Sequence, residues 1–172
     1  SYYGWGTSFE KMQIPYETIT ESDISLLRLK HINVLVLANI TSIRQETIDK
    51  ILKPYLDSGK TIIITGINAG ERDTRENNYK KHSTPILVEL AKNYSGNGKI
   101  IYYEIDPTYN AYISKNYNST IKIIDSTLLE LKKGGFYEPE IIVENIDEKI
   151  ILATHYDFEN DRMFLDLANR NI

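Results

Sequence analysis

INVLVLANITSIRQETIDKILKPYLDSGKTIIITGINAG, running from Ile32 to Gly70, is the stretch whose reading decides the fold. Ile32 to Ile40 is apolar throughout its middle, the pattern of a strand covered on both faces, as in a parallel sheet. Ser42-Ile43-Arg44-Gln45 has the form of a capping box, in which Ser42 accepts from the Gln45 amide while Gln45 reaches back. Ile48, Ile51, Leu52, Tyr55 and Leu56 then recur at three- and four-residue spacings, which predicts a helix. Pro54 inside it should kink it, and Gly59 stands where a helix ends in the left-handed conformation that glycine adopts cheaply. The β-branched run Thr61 to Thr65 follows at once. Strand, helix and strand occupy about 35 residues, the length a right-handed crossover requires.

The same alternation extends outward. Upstream, Thr7 or Ser8 is expected to cap a short helix through Met12, Tyr16 to Thr20 to form a strand, and Ser22 or Asp23 to open a helix with Ile24, Leu26, Leu27 and Leu29 facing inward. Downstream, Ser83-Thr84-Pro85 starts a helix that ends at Gly96-Asn97-Gly98, and Lys99 to Ile105 reads as a strand. Asp106-Pro107 opens a helical stretch bearing Tyr109, Tyr112 and Ile113, and Ile121, Ile124, Leu128 and Leu131 mark another helix before Gly134-Gly135. Glu140 to Asn145 and Lys149 to Thr154 read as a hairpin, with a last strand near Met163 to Leu167. The expected architecture is a doubly wound, mostly parallel α/β sheet with helices on both faces and a C-terminal hairpin. The 172 residues fit a single domain, 1–172, and the opening Ser1-Tyr2-Tyr3, without an initiator Met, reads as a piece cut from a longer protein.

Composition removes several function classes. A hydrophobic fraction of 41% with 26% charged residues is globular. The net charge of −4, with no basic block, argues against a nucleic-acid partner. No apolar run approaches the ~18 residues that span a bilayer. The absence of cysteine excludes disulfides, thiolate catalysis and sulfur-ligated metals. No His-x-x-x-His or Asp-x-Asp-x-Asp series suggests a metal, and GINAG lacks both the dinucleotide spacing and the Lys-Ser/Thr of a P-loop, so no cofactor is implied. Thirteen tyrosines with many Asn, Ser and Thr suit a secreted or cell-surface protein. The sequons at Asn39, Asn93 and Asn118 are glycan acceptors only in a host that uses that code.

Two stretches at strand ends are candidates for chemistry. After Thr65, the segment Gly66-Ile67-Asn68-Ala69-Gly70-Glu71-Arg72-Asp73 lies where ligands collect in open parallel sheets. The glycine pair Gly66 and Gly70 permits a tight turn whose amides could face an oxyanion. Glu71, Arg72 and Asp73 could bind a sugar or position a water, although compensating charges on a solvated loop are the simpler account of them. The polar stretch Gly70 to Lys81 is too long for an idle connection and reads as a functional or mobile loop. The second candidate is His155-Tyr156-Asp157, where Asp157 could orient the imidazole. His31 and His82 read as structural or exposed.

Taken together, INVLVLANI, IDKILKPYLDSGKTIIITG and the two strand-end motifs resemble the class I glutamine amidotransferase-like superfamily. That superfamily has a flavodoxin-like α/β fold, and the versions in question stand beside catalytic domains in carbohydrate-active proteins. In working members the elbow reads Gly-x-Cys-x-Gly and a later strand ends in His-x-Glu. Here the resemblance puts Asn68 at the cysteine position, and His155 and Asp157 at the other two. An amide has no nucleophilicity comparable to a thiolate, so glutamine hydrolysis is excluded on this alignment. The resemblance implies a non-catalytic module of a larger secreted or surface protein, serving interdomain contact, oligomerisation or glycan contact, with Trp5 and the tyrosines as candidate sugar-stacking surfaces. Its partners would be other domains of the parent chain, polysaccharide or a second copy. Two other readings stay open: a carbohydrate hydrolase using Glu71, Asp73, His155 or Asp157, and a small-molecule sensor using the strand-end crevice.

Overall fold

A computed structural model describes residues 2–75, 78–138, 150–157 and 162–169, with the backbone alone for 74, 75, 78–81, 150–157 and 162–169. The chain opens with α1 (Tyr2–Met12) and, after an irregular segment and a 3-10 turn at Arg28–His31, enters β1 (Val34–Ala38). Helix α2 (Gln45–Thr47) runs through a π-helical stretch at Ile48–Leu52 into α3 (Lys53–Asp57) and on to β2 (Thr61–Thr65). A hairpin of β3 (Arg72–Arg75) and β4 (Asn78–Lys81) precedes α4 (Ile86–Asn93) and β5 (Lys99–Tyr103). Then come α5 (Tyr109–Ser114), α6 (Asn118–Lys133), β6 (Ile150–Asp157) and β7 (Arg162–Asn169).

The fold is mixed α/β, built on a three-stranded parallel sheet in the order β1-β2-β5, with Val36, Ile63 and Ile101 side by side. Alternation along the strands sends Leu35, Leu37, Ile62, Ile64, Ile100 and Tyr102 toward Leu52, Leu56, Leu87 and Val88 of the two crossover helices. Val34, Val36, Ile63, Ile101 and Tyr103 face α1 and α6 instead, meeting Trp5, Phe9, Ile124 and Leu128. The central strand is therefore apolar on both sides: Ile62, Ile63 and Ile64 are at most 1% exposed. Each such side chain stabilises by about 1.5–3 kcal/mol, an upper figure because the unfolded chain already buries some surface.

Several local expectations change on contact with the structure. α1 begins at Tyr2, so Thr7 and Ser8 lie inside it, and Ser8 donates to the Gly4 carbonyl at 2.7 Å instead of capping. Residues 14–20 form no strand, and 22–29 form turns and one 3-10 segment. Ile24 and Leu26 point about 200° apart on a helix, so the four apolar residues cannot share a face: Leu29 is 1% exposed whereas Leu27 is 69% exposed. Ser42 caps nothing. The N-cap of α2 is Arg44, and the carboxylate of Glu21, remote in sequence, accepts from the Arg44 amide at 2.8 Å and from the Thr47 hydroxyl at 2.7 Å. Negative charge at a helix start is stabilised by the orphan amides there.

Pro54 is accommodated differently from a simple kink. It sits in the first turn of α3, directly after the π-helical stretch. A wider turn suits a residue that cannot donate to the i−4 carbonyl and whose ring would clash with it. Gly59 ends the helix as expected, with φ of 86° and its amide on the Leu56 carbonyl at 2.9 Å. The polar segment after Gly70 is the β3–β4 hairpin, in register Asp73 with Lys80. The expected first arm of the C-terminal hairpin, 140–145, lies outside the described residues. Ile150–Asp157 pairs antiparallel with Arg162–Asn169 in a sheet of its own.

Candidate functional site

The carboxyl ends of β1, β2 and β5 converge on a buried polar knot. Asp106, 5% exposed, follows β5. One carboxylate oxygen accepts from the Thr65 hydroxyl at 2.8 Å and from the Trp5 indole N–H at 3.3 Å. The other accepts from the amide and hydroxyl of Thr108 at 2.8 and 2.7 Å, the arrangement of a short polar residue opening a helical turn. The Thr65 hydroxyl in turn accepts from the Asn39 amide at 3.0 Å. Each member of this buried network has its partner, which makes it a fastening between the sheet ends and α1.

Beside the knot, the backbone turns sharply. Gly66 has φ of 101° and Asn39 φ of 56°, and a methyl on Gly66 would run into the Asn39 side-chain oxygen. Asparagine tolerates the left-handed region better than most residues, so the pair lets β1 and β2 leave the sheet side by side. Tyr102 reaches toward the Gly66 carbonyl at 3.5 Å, and burial, with Glu104 adding to it, pushes its phenol above the usual tyrosine range.

The loop after Gly66 lacks the geometry of a nucleophile elbow. Asn68 is exposed and has a negative φ, whereas an elbow strains its central residue at a direct strand-to-helix turn. Here residues 67–70 form turns, the β3–β4 hairpin intervenes, and the next helix begins at Ile86. Four amides around the turn are spent on carbonyls, Gly66 on Tyr103, Ala69 on Gly66, Gly70 on Ile40 and Glu71 on Asn68, at 2.8–3.1 Å, so the amides of both glycines and of the residue after Asn68 do not face an oxyanion. Arg72 is fixed by its backbone to Thr41 and Ile43 and its side chain is exposed, while Asp73 is 6% exposed. Glu71, partly buried, accepts the His82 amide on its carbonyl at 2.8 Å.

His155 and Asp157 lie on β6, opposite Phe164 and Arg162 of β7. No pairing among the described residues joins β6 to the sheet that carries Gly66 and Asn68. Among the described residues no group of three His, Asp or Glu could hold a metal ion, and no helix is long and apolar enough to cross a membrane.

Two features escaped sequence reasoning. The first is a cavity of about 920 Å³ along the edge of β1 that no strand among the described residues covers, between Phe9 and Met12 of α1, the segment from Ile14 to Ile24, and Leu128 of α6. Gly66, Gly70, Glu71, Arg72 and Asp73 do not line it. Its signal was the failure of Tyr16 to Thr20 to pair, which no pattern discloses. At its rim the Asn33 side chain donates to the Glu138 carbonyl at 3.1 Å, so the chain leaving α6 is held at the start of β1.

The second feature is aromatic. Trp5, a candidate sugar platform, is 4% exposed and belongs to the core. Tyr109, Tyr112 and Ile113, at spacings typical of core positions, are 54%, 40% and 64% exposed. Tyr2 stacks on Tyr3 at 4.1 Å between ring centroids, and Tyr3 on Tyr112 at 6.1 Å, while the Lys115 ammonium lies 4.2 Å from the Tyr112 ring centre. Ile105, 76% exposed, and Ile67, 60% exposed, follow β5 and β2 on the same end of the sheet. Compared with known proteins, the chain matches no family model, no curated protein and no solved structure.

Proposed function

We propose that the chain is a degenerate, non-catalytic relative of the class I glutamine amidotransferase-like modules, a contact domain of a larger carbohydrate-active protein that is secreted or carried on the cell surface. The observation carrying this reading is the combination at the strand ends of a cysteine-free turn, in which the Gly66, Ala69 and Gly70 amides are bonded to carbonyls, with a row of exposed apolar side chains on α1 and α5. Exposed apolar surface of this kind marks a partner site. The stacked tyrosines cover part of one another's faces, which leaves less open ring for the flat face of a sugar than for another protein surface. Interdomain contact or self-association is therefore preferred over glycan contact.

In the same proposal the sheet is a fragment of a doubly wound, flavodoxin-like one. Its open edge at β1, with an apolar cavity beside it and the chain from α6 fastened at its start, is where a further parallel strand would join.

The test is a double substitution, Ile105→Asp with Ile113→Asp, in the 172-residue chain and in its parent protein. Both positions are 64% exposed or more, so the fold should survive. Sedimentation should show loss of self-association, or limited proteolysis of the parent should show loosened domains. Unchanged behaviour in both would remove the contact-surface reading. Release of reducing ends from polysaccharide by the unmodified chain, abolished by Asp73→Asn, would replace it with the hydrolase.

The cavity supports one second reading, binding of a small apolar molecule, because cavities of about 300–1,000 Å³ with apolar walls are the usual ligand sites. Saturable quenching of a hydrophobic dye, competed by a defined apolar ligand and lost in Leu128→Trp, would favour it over a further strand.

A further inference from the structure

We draw no further inference here: the strongest candidate, the apolar cavity along the open edge of β1, carries none beyond the two readings already given for it, because nothing among the described residues shows what covers it.

Discussion

The indole N–H of Trp5 donates to the carboxylate of Asp106 at 3.3 Å, a contact between residues 101 positions apart that ties α1 to the carboxyl ends of the strands. Trp5→Phe removes the donor together with part of a buried ring, so it should cost about 2 kcal/mol or more, read as a lower urea midpoint with an unchanged slope. Asp106→Ala should cost more, because Thr65 and Thr108 lose their acceptor in a buried place. A midpoint for Trp5→Phe within a few tenths of a kcal/mol of the parent would mean that the bond contributes nothing.

Two glycines that share a positive φ should respond differently to a methyl group. Gly59 has φ of 86° and open space around it, so Gly59→Ala should cost only the left-handed penalty of about 1–2 kcal/mol. Gly66 has φ of 101° and the end of the exposed Asn39 side chain against it, so Gly66→Ala should cost the left-handed penalty plus that of turning Asn39 aside, about 2–3 kcal/mol. Thermal unfolding of both variants checks the ranking, and equal losses would contradict the packing described at the strand ends.

Glu21 acts on a helix that starts 24 residues later. Glu21→Ala should destabilise by about 1–2 kcal/mol, since the Arg44 amide and Thr47 hydroxyl lose their acceptor. Glu21→Gln, which keeps an acceptor oxygen, should recover part of that loss. Chemical denaturation of the pair distinguishes a cap from a surface ion pair, whose removal would change stability by only a few tenths of a kcal/mol.

Burial pushes the phenol of Tyr55 well above the ordinary tyrosine range, and its hydroxyl donates to the Ile32 carbonyl at 3.1 Å. The folded value is raised, so the unfolded chain ionises first. The associated stability is complete below the ordinary value of about 10 and is lost as pH rises beyond it. Urea midpoints should therefore fall as pH rises from about 10 upward, and less steeply in Tyr55→Phe. Tyr94, Tyr102 and Tyr137, raised chiefly by burial as well, should keep some of the slope in that variant.

If a further strand joins β1, every amide of Val34–Ala38 should exchange slowly with deuterium, because alternate amides of a parallel strand point to opposite edges. An open edge would leave the outward amides exchanging at loop rates. Protection that grows with protein concentration would assign the edge to a second copy.

The central β-α-β unit was legible because its signal is repeated at several levels. Ile62 to Ile64 are β-branched and apolar without interruption, Gly59 is placed at the helix end, and the spacing fits a crossover. The stretch from Tyr16 to Leu29 failed for a definable reason: alternation and apolar content are present, but no strand among the described residues supplies a ladder and no single face gathers the apolar residues. Glu21 could not be recognised as a cap because local capping rules see only the next few residues, and Ser42 offered a plausible decoy. At the candidate site the glycines predicted a tight turn, and that turn exists with φ of 101° at Gly66 and 73° at Gly70. What spacing could not reveal is where the amides point, since their acceptors, Tyr103 and Ile40, come from other strand ends.

The order β1-β2-β5 follows the order of synthesis, so each strand leaving the ribosome can add to the one made before it. α1 can meet Val34 and Val36 of β1 early, but part of its cluster comes much later. Its Trp5, Phe9 and Met12 share a cluster with Ile124 and Leu128, which are made more than a hundred residues later. The cluster that holds α1 is thus completed only when α6 is made, and until then part of its apolar surface is one a chaperone would meet on the nascent chain.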